Sequence, residues 1–115
     1  MRIELRHAYD RERQTADEAL LAGELDRAFA HLERAHIIGQ RSTAAHVAAH
    51  VGMLRIGWRR RDAREVFGQM TRIVAATLFT RFWVPVGNTG GANVSAVRPM
   101  ALPDDLLDLM RDEIH

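Results

Sequence analysis

The sequence contains no cysteine, which excludes disulfide bonds and thiolate metal ligands. Its charges are almost balanced, with 16 basic and 15 acidic side chains and a net charge of +1 at pH 7. A chain without a surplus of one sign has no strong field to attract nucleic acid, so this composition does not favour a nucleic-acid partner. The absence of cysteine is typical of the reducing cytoplasm, where we expect the protein to act.

Long apolar runs are also missing. Residues 1–6 carry too many charges for the start of a signal peptide. The longest apolar stretch, residues 73–86, is interrupted by Arg81 and is too short to cross a bilayer. We therefore expect no membrane partner.

Strand-like alternation of polar and apolar residues is absent over any useful length, and helical spacing dominates instead. This spacing predicts four long helices and a short one: about 3–22, from Asp26 to Gly39, from Ser42 or Thr43 through Trp58, 63–83 and 103–114. The expected N-caps are Asp26, Ser42 or Thr43, and Asp62. The short last helix has an apolar face made of Leu106, Leu107, Leu109 and Met110.

The fourth helix has the clearest amphipathic pattern in the chain. Its apolar row is expected to face the core and contains Val66, Phe67, Met70, Ile73, Val74, Thr77 and Leu78.

We predict one all-α domain over residues 1–115, with antiparallel helical hairpins over 1–84. A loop rich in glycine and proline follows over 85–102, and a docking helix over 103–115. Gly23 and Gly57 are separated by roughly the 34-residue period of a tetratricopeptide repeat. The hairpins therefore have either a tetratricopeptide-like or a four-helix arrangement. One clear and one blurred half-repeat do not make a peptide-binding solenoid, which needs about three units.

Histidines cluster on the two helices that flank the turn at residues 39–42. His46 and His50 are four residues apart, and Glu33 and His36 are three apart, so each pair lies on one face of its helix. An antiparallel hairpin brings His36 level with His46, and Glu33 near the level of His50. Three imidazoles and a carboxylate would then converge, which is a ligand set for a divalent transition metal.

A second carboxylate, Glu12, lies within the apolar row of the first helix, where an unpaired charge would be costly to bury. Reflection of the first hairpin about residue 24 places Glu12 level with His36. Either glutamate could bind metal or instead orient an imidazole. The predicted metal ligands are Glu12, His36, His46, His50 and Glu33. His7, His31 and His115 are left out because they fall beyond the turn, on another face and at the terminus.

Nitrogen and oxygen ligands favour zinc, iron or manganese. The leading interpretation is therefore a small cytoplasmic metal-binding protein. A second interpretation is a helical interaction module, with a structural His/Glu network and a protein partner or a second copy of itself. A third is a small metalloenzyme with an open coordination position. We favour a non-enzyme because no nucleophile elbow, catalytic triad order or deaminase motif is present.

The glycine-rich segment 87–95 allows two interpretations. It could present backbone N–H groups to an anion, or it could fold back and cover one end of the helices. It lacks the lysine and the strand–helix context of a P-loop, so we favour the structural alternative.

Three segments resemble a known family: residues 32–41 (LERAHIIGQR), 54–59 (LRIGWR) and 86–95 (VGNTGGANVS). They are similar to a bacterial family catalogued as domain of unknown function 3703, and the resemblance covers nearly the whole chain. It implies no particular activity. Because some members of that family are encoded near heavy-metal resistance genes, the resemblance implies a role in metal handling or resistance.

Overall fold

The computed structural model describes residues 1–80, 84–92, 94–95 and 98–111. Within these ranges the chain forms helices and no strand, which confirms the all-α prediction. None of the described helices is both long enough and apolar enough to cross a membrane. The helices are α1 (Ile3–Leu21), α2 (Leu25–Gly39), α3 (Thr43–Arg59), α4 (Ala63–Phe79) and α5 (Asp104–Leu109). The predicted ends of the last two helices, at residues 81–83 and 112–114, lie outside the described residues.

Short turns connect the first four helices, so consecutive helices pack as antiparallel hairpins, α1 on α2, α2 on α3 and α3 on α4. Gly23 in the first turn has a φ of +77°, a left-handed conformation that glycine adopts without steric cost. The predicted helical hairpins are therefore present.

Side-chain caps begin two of the helices. Ser42 accepts a hydrogen bond from the Ala45 backbone N–H at 3.4 Å, and Asp62 accepts one from the Glu65 N–H at 3.1 Å. These confirm two predicted caps. The prediction for Asp26 is wrong, because α2 already begins at Leu25. Asp26 lies in the first turn instead, where a carboxylate interacts favourably with the helix dipole.

The apolar core has two parts, both built on the α1–α2 hairpin. One part joins this hairpin to α5 and contains Leu5, Ala8, Tyr9, Ala35, Ile37, Ile38, Ala45, Leu106 and Met110. The other joins it to α3 and contains Ala16, Ala19, Ala28, Leu32, Met53 and Ile56. In α5 the predicted apolar face is correct except at Leu107, which is largely exposed because α5 docks through Leu106 and Met110.

The amphipathic pattern of α4 does not predict which side is buried. Large apolar side chains of its predicted inner row are 51–68% exposed: Phe67, Met70, Val74 and Leu78. Thr77 is exposed as well, and Val66 and Ile73 are only partly buried. The buried face carries Glu65, Gln69, Ala76 and Thr80. The prediction is wrong because this side of α4 packs against histidine rings and loop backbone, where polar groups find hydrogen-bond partners.

The loop after α4 returns over the helices. The Gln40 side-chain amide donates a hydrogen bond to the Pro85 carbonyl at 2.9 Å, and Arg72 donates one to the Val94 carbonyl at 2.7 Å. The Met100 N–H bonds the Val86 carbonyl at 3.0 Å, which closes the loop on itself. The loop thus folds back over the helices, as the structural interpretation of its sequence predicts, and its contacts extend along α4 from Glu65 to Arg72.

Two leucines of α1 provide a matched test of the core. Leu5 is 1% exposed and Leu21 is 90% exposed. We expect Leu5→Ala to lower the free energy of unfolding by about 2–5 kcal/mol, because it removes buried methyl groups and leaves a cavity. Leu21→Ala should change it by no more than about 0.5 kcal/mol. Urea denaturation of both variants measures the difference, and equal losses would contradict this packing.

Candidate metal centre

Three histidine rings meet in the interior between α2 and α3. His36 projects from α2, and His46 and His50 project from α3, one turn apart. All three are buried, and their ring centroids are 4.5–4.9 Å apart. One ring nitrogen from each can be chosen so that all three lie within 4.8 Å of one another, a group that could hold a metal ion. We call these residues the histidine triad.

The glycine-rich loop orients the first ring. His36 Nδ1 lies 2.8 Å from the backbone carbonyl oxygen of Asn88. A carbonyl oxygen only accepts, so Nδ1 must carry the proton and donate it. The lone pair of this neutral imidazole is therefore on Nε2.

A buried amide orients the second ring. His50 Nδ1 lies 2.5 Å from Gln69 Oε1. The orientation of the Gln69 amide follows from its other end, because Nε2 donates at 2.8 Å to Glu65 and at 2.8 Å to the Gly90 carbonyl. Gln69 Oε1 must then be an acceptor, so His50 is also protonated on Nδ1. Hydrogen-bonded partners of this type fix the tautomer and direction of metal-binding histidines.

The third ring is held by the last turn of α4. The Thr80 hydroxyl donates to the Ala76 carbonyl at 2.6 Å. Its oxygen can then accept from His46 Nδ1, which is 2.9 Å away. His36 and His50 therefore have the same assignment, with Nδ1 donating outward to the protein and Nε2 left as a free electron pair. The Thr80 contact allows the same assignment for His46, whose ring is also hydrogen-bonded to the backbone of Gln40.

The closest approach within the triad is between two such electron pairs. His36 Nε2 and His50 Nε2 are 3.1 Å apart. With both protons on Nδ1, no hydrogen lies between these atoms, and the two lone pairs repel each other. Metal–nitrogen bonds of about 2.0–2.1 Å in a tetrahedral site place neighbouring ligand nitrogens about 3.3 Å apart. The observed spacing is thus close to the spacing that a shared cation requires.

Burial also disfavours a second proton on each of the three imidazole rings. Removal from water holds the pKa of His36 well below its usual value, and the neighbouring rings of His50 and His46 lower it further. Burial lowers the pKa of His46 to about 4 and, with the proximity of His46, that of His50 to about 3. The three rings are therefore neutral at pH 7, the protonation state in which histidine binds metal.

Glu12 is not brought to the triad. One of its carboxylate oxygens lies 2.7 Å from Arg34 Nε and the other 2.7 Å from His31 Nδ1. Arg34 also pairs with Asp105 and so ties α5 to the first hairpin. Reflection of the first hairpin about residue 24 gives the level of Glu12 along α2 but not the side of α2 that it faces. Residues 34 and 36 point about 200° apart around a helix, so a group facing Arg34 lies far from His36.

Glu33 is on the correct side of α2 but does not join the imidazoles. Its carboxylate is hydrogen-bonded to the side chain of Thr89, and partial burial raises its pKa. It lines a surface cleft together with Glu65 and Arg60. The structure therefore assembles three of the five predicted ligands, and within the described residues the group of metal-binding side chains contains no carboxylate.

Gly90 lets the loop cover the triad. Its φ is +86°, and a Cβ at this position would lie 2.7 Å from His36 Cδ2 and 2.8 Å from His36 Nε2. Asn88 fixes this approach by accepting from the Gly90 N–H at 2.9 Å and donating to the Ser95 and Arg98 carbonyls. The loop closes the centre with backbone rather than with side chains.

Sequence reasoning missed the residues that orient the rings: Gln69, Thr80 and Asn88. A usable signal was present in α4, where Glu65, Gln69 and Thr80 recur on one side of the helix. Reflection of the α3–α4 hairpin about the turn at residues 60–62 places Gln69 within one turn of His50. The apolar row on the opposite side of α4 concealed this signal.

The chain belongs to the family described as protein of unknown function (DUF3703), whose model matches residues 3–110. This confirms the resemblance of the three sequence segments. No curated protein and no solved structure is significantly similar to the chain.

The buried histidines predict that acid destabilises the metal-free protein. A histidine in the unfolded chain has a pKa of about 6.5, whereas the folded values for His46 and His50 are about 4 and about 3. Between these limits the unfolded chain binds more protons, so stability is fully present above pH 6.5 and is lost as the pH falls. Each unit of difference is worth about 1.4 kcal/mol.

The measurement is urea denaturation of chelator-treated protein between pH 5 and pH 7. His50→Gln should flatten the dependence, whereas His7→Ala, which removes an exposed histidine, should leave it unchanged. A free energy of unfolding that is constant over this range would contradict the burial of neutral rings.

Substitution of two glycines that have left-handed backbone distinguishes the cost of backbone strain from the cost of steric contact with the triad. Gly23 has no atom within 4 Å of an added Cβ, whereas Gly90 faces the ring of His36. Gly23→Ala should cost about 1–2 kcal/mol through backbone strain alone. Gly90→Ala should cost about 1–3 kcal/mol more, because the loop must move off the ring. Equal losses in urea denaturation would show that the loop does not press on His36.

Proposed function

We propose that this member of the family binds one divalent transition metal ion through the Nε2 atoms of His36, His46 and His50. The observation that carries this proposal is the 3.1 Å approach of His36 Nε2 to His50 Nε2, two atoms that have no proton between them. A cation bound by both lone pairs converts that repulsion into attraction. Glu12 and Glu33, the other two predicted ligands, are not part of the proposed site.

Zinc fits this ligand set best. Imidazole nitrogen suits zinc, iron, nickel and copper(II), whereas manganese prefers carboxylate and other oxygen ligands. The sequence-based choice of zinc, iron or manganese included two glutamates that the triad lacks. With nitrogen ligands alone, zinc and iron remain and manganese is no longer favoured. A compensating negative charge is that of Glu65, linked to His50 through the Gln69 amide.

The covering of the triad supports metal holding rather than catalysis. A catalytic zinc keeps an accessible position for water and substrate. Here the Gly90 backbone lies so close to His36 that even a methyl group would not fit between them. A role in metal handling, such as carrying or sequestering the ion, agrees with such a closed centre.

The competing interpretation is a helical interaction module in which the histidines form a structural polar network. In a polar network that needs no metal, a proton lies between every pair of close polar atoms. The outward bonds of the three Nδ1 atoms meet this condition, but the contact between His36 and His50 does not. Metal binding accounts for the outward Nδ1 bonds and also for the close contact between His36 and His50, so we prefer this interpretation.

Metal content and affinity test the proposal directly. Protein purified without an affinity tag should contain close to one zinc or iron per chain by elemental analysis. Zinc added to chelator-treated protein should raise its thermal midpoint, because an ion at 100 times its Kd stabilises the folded state by about 2.7 kcal/mol. Metal far below one per chain, together with no thermal shift from zinc or iron, would refute the proposal.

Single variants assign the ligands. His36→Ala, His46→Ala and His50→Ala should each weaken zinc binding more than about 100-fold, and Gln69→Leu, which only releases the orientation of His50, by about 10–100-fold. His31→Ala is the matched control, because His31 lies on the same helix as His36 but bonds Glu12. Circular dichroism of the metal-free variants verifies folding. Unchanged affinity in the three triad variants would exclude the histidines as ligands.

A further inference from the structure

The outward side of α4 is an unusually apolar surface. We call Phe67, Met70, Val74 and Leu78 the α4 face; their exposed fractions lie between 51% and 68%. They are spaced three or four residues apart, as in the contact row of paired helices. Trp58 at the end of α3 lines a groove with Phe67 and Met70, so it extends the surface, and it is also mostly exposed.

Charged side chains are sparse along the α4 face in the described part of the chain, and the one that lines its groove, Arg61, lies at the start of the surface. Between Phe67 and Phe79 the helix carries one ionisable residue, Arg72. Its guanidinium turns inward and donates to the Gly68 carbonyl at 3.1 Å and the Val94 carbonyl at 2.7 Å. When a surface meets its own copy about a two-fold axis, each charge near the axis meets a like charge. Because Arg72 points inward, no ionisable side chain between Phe67 and Phe79 faces such an axis, and this repulsion is avoided.

The area of the surface approaches what a dimer needs. The exposed parts of the α4 face and Trp58 amount to on the order of 600 Å², at the top of the range for the largest apolar patch of a typical monomer, about 300–600 Å². A standard stable interface buries about 800 Å² on each partner. Aromatic residues and methionine, which form most of this surface, are enriched at interfaces.

The two ends of the surface differ in shape. At its start, Trp58, Phe67 and Met70 line a groove of about 590 Å³. At its end, Leu78 projects outward. An antiparallel copy of α4 would place Leu78 over the partner's groove.

The same arrangement is favourable electrostatically. Arg61, at the rim of the groove, would lie near the negative end of the partner's helix dipole. We therefore propose that the protein forms a two-fold symmetric homodimer through antiparallel packing of the α4 face, with Val74 within one turn of the axis.

Sedimentation equilibrium tests the dimer. The unmodified chain should have twice its 13.0 kDa mass at micromolar concentration. Val74→Arg should give a monomer, because it places two like charges near the axis. Leu21→Arg is the matched control, since Leu21 is the most exposed apolar side chain among the described residues but lies on α1. It should remain a dimer. Both variants should retain wild-type helicity and zinc content, because neither position touches the triad.

Cross-linking provides a second, independent measurement. Because the chain has no cysteine, Val74→Cys introduces a single thiol. A short bis-maleimide should link two copies of this variant, and Leu21→Cys should remain unlinked. A wild-type monomer, or a dimer that persists in folded Val74→Arg and is not linked through Val74→Cys, would overturn the proposal. In the first case the α4 face would belong to a different protein partner.

Discussion

Three neutral imidazoles are buried together, and much of the structure follows from the hydrogen bonds that this burial requires. Each ring must give its Nδ1 proton to an acceptor, because an unpaired buried donor would cost about 1–3 kcal/mol. The three acceptors come from different places in the chain: the Asn88 carbonyl, the Gln69 amide and the Thr80 hydroxyl. One constraint thus ties α2, α3, α4 and the glycine-rich loop to a common point.

The inverted orientation of α4 is a consequence of that constraint. A helix that supplies an amide and a hydroxyl to the triad must turn its polar side inward, so its apolar residues face outward. Gln69 links the triad to Glu65 and to the loop at the same time, since its amide bonds Glu65 and the Gly90 carbonyl. The apolar surface that we assign to dimerisation and the polar interior that we assign to metal binding are two sides of one helix.

Sequence patterns gave correct predictions for features that depend only on residues close together in the chain. Helical spacing, the caps at Ser42 and Asp62 and the turn at Gly23 depend on residues close in sequence, and the structure agrees with each. The histidine triad could also be predicted from the sequence, because a short hairpin leaves little freedom in how His36 meets His46 and His50. The surroundings of Glu12 could not be predicted in this way. The level of Glu12 along α2 can be counted from the turn. The side of α2 that it faces depends on how the two helices are rotated about their own axes, and the first hairpin alone does not restrict this rotation.

The sequence by itself determined the helices, their hairpin connections and the clustering of three histidines, because periodicity and short turns are local properties. Only the tertiary structure decided which face of α4 is buried, which glutamates stay outside the centre and which groups orient the rings. Hydrophobic burial usually turns the apolar face of a helix inward, so the sequence pattern of α4 was misleading. At this position the requirement to satisfy buried polar groups prevailed, and that requirement appears only when distant segments meet.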